Sequence, residues 1–201
     1  PDGKRIAAGG WTCWDWARAG CVYVFDVDSG DMVRRLRGLP DAVSALAWSA
    51  DGRHLAIGLQ GRAGLRVLRT DTFEEVAADR AFEDKVMELA YDSQGRLAAV
   101  ALDGRIRLYR SDHRLHGRVS VEGGRQLATV RFKPDGSRLA VGFLDAAAVT
   151  ILDAGSLQSV AVRRIDDRAQ RNLSNLAWSR DGATLYAAGE RGGEGLNALY
   201  R

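Results

Sequence analysis

Residues 11–20, WTCWDWARAG, hold the densest group of large aromatic side chains in the sequence. Trp11, Trp14 and Trp16 are three of the five tryptophans, and Arg18 follows them. Their spacing does not alternate as a strand would, so the stretch predicts a loop. Tryptophan buries a large area at little cost in side-chain entropy, and tryptophan and arginine are common anchors at protein interfaces. The stretch therefore predicts a partner-binding loop, with packing of one or two tryptophans against a neighbouring element as the alternative.

The residues that could serve as catalytic bases or metal ligands form no recognisable motif. His54 follows a predicted hairpin turn, and His113 and His116 lie in a predicted outer-strand region. No spacing of histidine or cysteine indicates a metal site. A nucleophile elbow, a phosphate-binding loop and a zinc-protease motif are all lacking. We therefore predict no enzymatic activity, no cofactor and no metal, although a hydrolase whose carboxylates come from distant segments stays open.

Cys13 and Cys21 are the only cysteines. So few cysteines suit a protein of a reducing compartment and exclude a fold built on disulfides. We predict two buried or half-buried thiols. A bond between the two cysteines is the alternative, because a sequence does not give the Cα separation that a disulfide requires.

The charge of the chain does not indicate a nucleic-acid-binding protein. The 29 basic residues include only three lysines and are interspersed with 26 acidic residues, for a formal net charge of +3. Nucleic-acid binding calls for a clustered basic stripe, whereas an excess of arginine is typical of a GC-rich, bacterial genome. No apolar run is long enough for a membrane helix, and the first residues do not form a signal peptide. These observations predict a cytoplasmic protein with neither nucleic-acid nor membrane partners.

A glycine-containing phrase recurs five times, most fully as FKPDGSRLAVGF at residues 132–143. Aspartate or glutamine followed by glycine, between two short apolar segments, predicts a tight hairpin. The intervals between the aligned glycines are 49, 43, 41 and 46 residues, close to the period of about 40–45 residues for one propeller blade. The aligned glycines are Gly3, Gly52, Gly95, Gly136 and Gly182.

Each full repeat contains four predicted strands. The two segments around the hairpin, such as LATVRF and RLAVGF, show little polar alternation, which is typical of strands packed on both faces. A third segment such as RIRLYR and a more polar fourth such as RLHGRVSV follow, and polar outer strands protect a sheet edge. We predict an all-β fold, a β-propeller of four-stranded antiparallel blades with about five blades represented, the first and last incomplete. The predicted units are approximately 1–38, 39–80, 81–122, 123–165 and 166–201.

These phrases resemble the divergent bacterial form of the WD-repeat family over essentially the whole chain. The Trp-Asp dipeptide of the family is replaced at every position, and no Gly-His pair precedes a first strand. Asp103 and Asp145 keep the aspartate of the tight turn between second and third strands. Because the family's Asp-His-Ser-Trp network cannot be assembled, apolar stacking is expected to be the main source of blade rigidity. The replacing pairs are Phe25-Asp26, Leu68-Arg69, Tyr109-Arg110, Leu152-Asp153 and Tyr200-Arg201.

The resemblance implies where a partner binds. In such propellers the links from second to third strand, and from fourth strand to the next first strand, lie on one face, the usual binding face. Residues 11–20 are the first of these links, and the others carry charges of both signs, which favours a protein or peptide over a polyanion. The predicted partner-binding residues are Trp11, Trp14, Trp16, Arg18, Arg80, Lys85, Arg125, Arg168 and Arg171.

The predicted function is a non-catalytic protein–protein interaction scaffold whose partner is another protein or a domain of the same parent chain. Bacterial chains that resemble this one are often attached to an effector domain, so a sensing or regulatory role within a larger protein is expected. Propellers of this family usually have about seven blades, so these 201 residues are expected to be part of a longer protein or to complete a ring with a partner. The alternative is a hydrolase that uses the central channel of the propeller.

Overall fold

The computed structural model describes residues 1–11, 20–166, 170–190 and 197–200. Within these ranges the chain forms strands, turns and links, and there is no helix that could span a membrane. The strands are β1 (Arg5–Gly9), β2 (Gly20–Asp26), β3 (Met32–Leu39), β4 (Val43–Trp48), β5 (His54–Leu59), β6 (Leu65–Arg69), β7 (Glu75–Asp79), β8 (Val86–Tyr91), β9 (Leu97–Ala101), β10 (Arg105–Tyr109), β11 (Leu115–Ser120), β12 (Leu127–Phe132), β13 (Arg138–Phe143), β14 (Ala148–Asp153), β15 (Ser159–Arg164), β16 (Asn175–Trp178), β17 (Leu185–Glu190) and β18 (Asn197–Tyr200).

These strands form five antiparallel sheets in which consecutive strands pair with each other. Sheet 1 (β1–β3) and sheet 5 (β16–β18) have three strands among the described residues, and sheets 2 (β4–β7), 3 (β8–β11) and 4 (β12–β15) have four. Each sheet packs against the next, with β4, β8, β12 and β16 in contact in that order. The all-β class and the four-stranded antiparallel sheets are confirmed, and the arrangement is propeller-like.

The repeated phrase forms the turn between the first and second strands of sheets 2, 3, 4 and 5, and in sheet 1 it lies immediately before β1. In sheet 2, the Gly52 amide donates to the Ser49 carbonyl at 2.9 Å, and Gly52 has a φ of +71°. This left-handed conformation is the reason for glycine at the position. The Asp51 carboxylate closes the turn by accepting hydrogen bonds from the Ser49 hydroxyl at 2.6 Å and the Arg53 amide at 3.0 Å. These contacts explain why aspartate and glycine recur together.

The core lies in the seams between consecutive sheets. We call the side of a sheet that packs on the preceding sheet its leading face. Leu55, Leu97 and Leu139 occupy the same position on the leading faces of sheets 2, 3 and 4, and all three are fully buried. Ile6 occupies this position in sheet 1 and is 55% exposed. Burial at these positions in sheets 2, 3 and 4 comes from the preceding sheet.

The turns between third and fourth strands place one side chain into each of three seams. Phe73, His113 and Leu157 hold the same place in these turns, with φ angles of 60°, 62° and 59°. A left-handed conformation costs about 1 kcal/mol or more for a residue other than glycine. Phe73 and Leu157 offset this cost by packing into the apolar clusters of their seams. We call these three residues the seam plugs.

The structure corrects one expectation. Cys21, in β2, is buried and disulfide-bonded, so the prediction of two thiols is wrong for this residue, while Cys13 lies outside the described residues. Beside the apolar stacking expected as the main source of rigidity, the seam between sheets 2 and 3 contains a buried ion pair of Arg107 with Asp103. Arginine there supplies a hydrogen-bond network that differs from the one usual in the family.

Candidate protein-interaction face

The links at one end of the sheets are tied together by backbone hydrogen bonds, and we call this end the upper face. The Gln60 amide donates to the Ala42 carbonyl at 2.9 Å, and the Leu102 amide donates to the Lys85 carbonyl at 3.0 Å. The Leu144 amide makes the same bond at 2.9 Å to the link that enters sheet 4. In sheets 2, 3 and 4, the link between second and third strands is thus fixed to the link through which the chain enters that sheet. The gathering of links on one face, implied by the resemblance, is present.

Trp11 lies at the upper face, at the beginning of the link between β1 and β2. Its side chain is 69% exposed, the largest exposure of any large hydrophobic residue among those described. Both ends of this link lie against the segment through which the chain enters sheet 2. The carbonyl of Gly10 accepts a hydrogen bond from the Val43 amide at 3.2 Å, and a Cβ on Gly20 would lie 2.0 Å from the Asp41 carbonyl oxygen. Trp11 is therefore presented on an anchored backbone.

Four of the other predicted partner-binding residues are described, and all lie on the upper face. Arg125 is exposed and Lys85 is half-buried. The Arg80 and Arg171 side chains are 70% and 65% exposed, and each lies 3.7 Å from a carboxylate, of Glu75 and Glu190 respectively. Whether these residues bind a partner stays a prediction. Trp14, Trp16, Arg18 and Arg168 lie outside the described residues.

The tight-turn aspartates hold the upper face together. Asp145 accepts hydrogen bonds from the amides of Arg125 and Gln126 at 3.0 Å. Asp103 accepts one from the Glu83 amide at 3.3 Å. A carboxylate that accepts backbone N–H groups fixes the loop that carries them. Both aspartates lie, as expected, in the turns between the second and third strands of their sheets.

Asp103 also pairs with Arg107 in the interior. The side chains are 1% and 0% exposed, and the Arg107 Nη2 atom lies 2.6 Å from Asp103 Oδ2 and 3.0 Å from the Ala81 carbonyl oxygen. The guanidinium lies 3.8 Å from the ring centroid of Phe82, a cation–π contact. Burial acts to raise the pKa of Asp103, but the hydrogen bonds and charge of Arg107 outweigh it and lower that pKa. The carboxylate is consequently held ionised as a structural anchor.

The innermost strands do not present a free carboxylate. Glu88 is the one acidic residue in β4, β8, β12 and β16, and its carboxylate bonds to three groups of sheet 4. It accepts hydrogen bonds from the Thr129 hydroxyl at 2.5 Å and the Val130 amide at 2.8 Å, and it pairs with Arg131 at 2.5 Å. In the described part of the chain, no three His, Cys, Asp or Glu residues are grouped to hold a metal ion. The one carboxylate of the described innermost strands is therefore bonded to the neighbouring sheet.

Sequence reasoning missed two polar clusters. The burial of Arg107 depends on Asp103, Phe82 and the small Ala99 opposite it in β9, and the one available signal was an arginine between two apolar residues in RIRLYR. His113 lies in a turn rather than in an outer strand, and its ring is 4.7 Å from that of His54 between centroids. These histidines are 59 residues apart in sequence, so no local pattern joins them.

Comparison with known proteins supports the fold and leaves the family open. No protein-family model matches the chain, and no curated protein matches its sequence. A chain in the solved structure described as "Crystal Structure of Mitotic Checkpoint Complex" is similar, with a TM-score of 0.74 and 21% sequence identity. The match covers 87% of this chain and 52% of that one, so this chain spans about half the length of its structural relative.

At this level of identity the likeness concerns the fold alone. As many as 1409 solved chains match the structure, and a fold shared so widely does not specify a function. The similarity agrees with the five stacked antiparallel sheets and with the propeller-like fold that the resemblance to WD repeats implied.

Proposed function

We propose that the protein is a non-catalytic interaction scaffold that binds another protein, or another domain of its parent chain, through the upper face. The observation that carries this proposal is the exposure of Trp11 on an anchored backbone. A large aromatic side chain held in place loses little entropy on binding, so it suits an interface anchor.

The charges on the upper face support a protein partner. On the upper face Arg105 pairs with Glu83 at 2.9 Å, and Arg171 lies near Glu190. Acidic groups among the arginines weaken attraction for a polyanion, whereas alternating signs provide specificity toward a complementary protein surface. As a finer proposal, the scaffold acts in the cytoplasm as the sensing or regulatory module of a larger bacterial protein that carries an effector domain. This finer proposal is supported by the resemblance to bacterial WD-repeat chains.

The test is Trp11→Ala, measured against a partner that the unmodified protein captures and that is then purified. We expect the dissociation constant to rise at least about 30-fold, the effect of an interface hot spot. The matched control is Leu115→Ala, because Leu115 is 49% exposed but begins β11 at the opposite end of sheet 3. This control should bind normally.

Both variants should give the circular dichroism spectrum of the unmodified protein, which separates loss of binding from loss of fold. Equal affinities for the Trp11→Ala variant and the unmodified protein would contradict the proposed site. The triple variant Trp11/Trp14/Trp16→Ala extends the test to the whole link, and retention of the partner by this variant would exclude the link as an anchor.

A further inference from the structure

The seam plug between sheets 2 and 3 is titratable, unlike the other two. His113 fills the place that Phe73 and Leu157 fill elsewhere, and its ring meets that of His54 of sheet 2 edge-on at 4.7 Å between centroids. Its Nε2 atom lies 3.0 Å from the Tyr91 hydroxyl oxygen. A single turn of sheet 3 is thereby attached to the first residue of β5 through two imidazoles.

The carboxylates around the two rings are already engaged. Asp51 accepts hydrogen bonds from the Ser49 hydroxyl and the Arg53 amide. The other nearby charges form pairs on each neighbouring turn, so they bring little net negative charge to the imidazoles. These pairs are Arg69 with Asp71 at 2.5 Å, Arg96 with Asp92 at 2.7 Å and Arg114 with Asp112 at 3.8 Å.

Two further titratable side chains line a small cavity together with His113. They are Asp79 and Tyr109, and the Tyr109 hydroxyl donates to the Asp79 carboxylate at 2.6 Å. Asp79 also accepts a hydrogen bond from the Ala81 amide at 2.8 Å. Burial and the nearby His54 lower the pKa of His113 and outweigh two of the carboxylates around the rings, those of Asp112 and Asp51, which act to raise it.

Protonation changes the contact between the histidines. Two like charges at this separation repel, and partial burial strengthens the repulsion. Burial and the nearby His54 lower the pKa of His113, so the folded protein favours the neutral ring. Burial raises the pKa of Tyr91, so its hydroxyl remains protonated and can donate to a neutral imidazole.

We propose that the His54–His113 contact is an acid-sensitive latch that closes the lower side of the seam between sheets 2 and 3 at neutral pH and releases it in acid. A histidine that is harder to protonate in the folded than in the unfolded state makes folding less favourable as pH falls below about 6.5. The loss continues until the pH passes the folded-state pKa. The latch is independent of the partner-binding role of the upper face.

The test compares amide hydrogen exchange and the denaturant midpoint at about pH 7.5 and pH 5.5, on the two sides of the unperturbed histidine pKa. In the unmodified protein, residues 110–114 should exchange faster at the lower pH after correction for intrinsic rates, and the midpoint should fall. Residues 154–158, around the apolar plug Leu157, should show no such change. Equal acceleration in both turns would overturn the proposal.

Three variants assign the effect to the histidine pair. His113→Phe copies Phe73 and should abolish the acid-dependent acceleration at residues 110–114. His113→Asn should also abolish this acceleration. Because asparagine tolerates a left-handed conformation, this variant provides the test if His113→Phe does not fold. His116→Gln is the matched control, because His116 contacts the Gly155 carbonyl instead of the latch, and it should keep the acid response.

A direct measurement of coupling completes the experiment. In His54→Asn, the pKa of His113 determined by NMR titration should rise, because the neighbouring positive charge is removed. An unchanged His113 titration in this variant, or an acid response that persists in both His113 variants, would overturn the latch.

Discussion

The seam between sheets 2 and 3 and the seam between sheets 3 and 4 have the same backbone geometry but different chemistry. Ala99 lies opposite Arg107 in the first, and Val141 lies opposite Thr150 at the matching position in the second. The next matched position holds Tyr109 in one seam and Leu152 in the other. The plugs follow the same division, with His113 against Leu157.

The comparison shows that the volume of the side chains in the second strand decides whether a buried arginine fits at the matched position. Alanines at positions 99 and 101 of β9 leave space for a guanidinium, whereas Val141 and Phe143 of β13 fill the corresponding space. A buried charged pair is stabilised by its hydrogen bonds, here those of the two Arg107 Nη atoms, and its stability depends on protonation. At the matched positions, ionisable side chains therefore join sheets 2 and 3, and Thr150 and apolar side chains join sheets 3 and 4. The ionisable contact of the second seam lies elsewhere, between Glu88 and β12.

The largest expected difference between the seams comes from Arg107→Met. Loss of the guanidinium leaves Asp103 buried without its counter-charge, and breaking such a pair costs about 3–5 kcal/mol. At the matched position, Thr150→Val removes one hydrogen bond, from the hydroxyl to the Glu122 carbonyl, and should cost about 1–2 kcal/mol. Denaturant unfolding of both variants measures the difference. Equal losses would refute the distinction between the seams.

The same variant changes the response to acid. Because the folded-state pKa of Asp103 is lowered, its contribution to stability is present above about pH 4 and is lost as the pH falls through the folded-state value. Arg107→Met should reduce this loss. Thr150→Val should leave this acid-dependent loss of stability unchanged. A smaller loss in Thr150→Val would show that a group other than Asp103 is responsible for it.

A smaller effect is expected from Tyr109→Phe. The hydroxyl donates to a half-buried carboxylate of Asp79, and hydrogen bonds to charged groups contribute about 1.5–3 kcal/mol. The matched change in the apolar seam, Leu152→Met, keeps the volume of the side chain and should cost less than about 1.5 kcal/mol. Thermal unfolding of the two variants gives the order. A greater loss of stability in Leu152→Met than in Tyr109→Phe would mean that packing contributes more than the hydrogen bond at this position.

The smallest effect should come from Glu83→Gln at the upper face of the polar seam. Glu83 is 63% exposed and pairs with Arg105 at 2.9 Å, and exposed pairs contribute about 0–1 kcal/mol. Unfolding of the variant and of the unmodified protein at low and at high salt checks this estimate. Their stabilities should converge at high salt, and a difference that persists would show that the pair is shielded from solvent.

The repeated hairpins, the strand order and the tight-turn aspartates could be predicted because each follows from residues close together in sequence. Asp51 and Gly52, for example, form their turn with atoms of neighbouring residues. The buried position of Arg107 could not be predicted, because it depends on Phe82 and Ala99 from other segments. For the candidate site, the sequence predicts the exposure of Trp11. The contacts of Gly10 and Gly20 with the segment that enters sheet 2 could not be predicted, because they join residues far apart in sequence.

The carboxylate of Glu88 has a consequence for association between molecules. Strand β12 pairs with β13 on one side only, so its other side would present unpaired amides along the axis of the stack. Unpaired amides of this kind recruit strands from foreign chains. By accepting the Val130 amide, a side chain of the neighbouring sheet takes the place of a missing strand. The Val130 amide is thereby unavailable to a strand from another molecule.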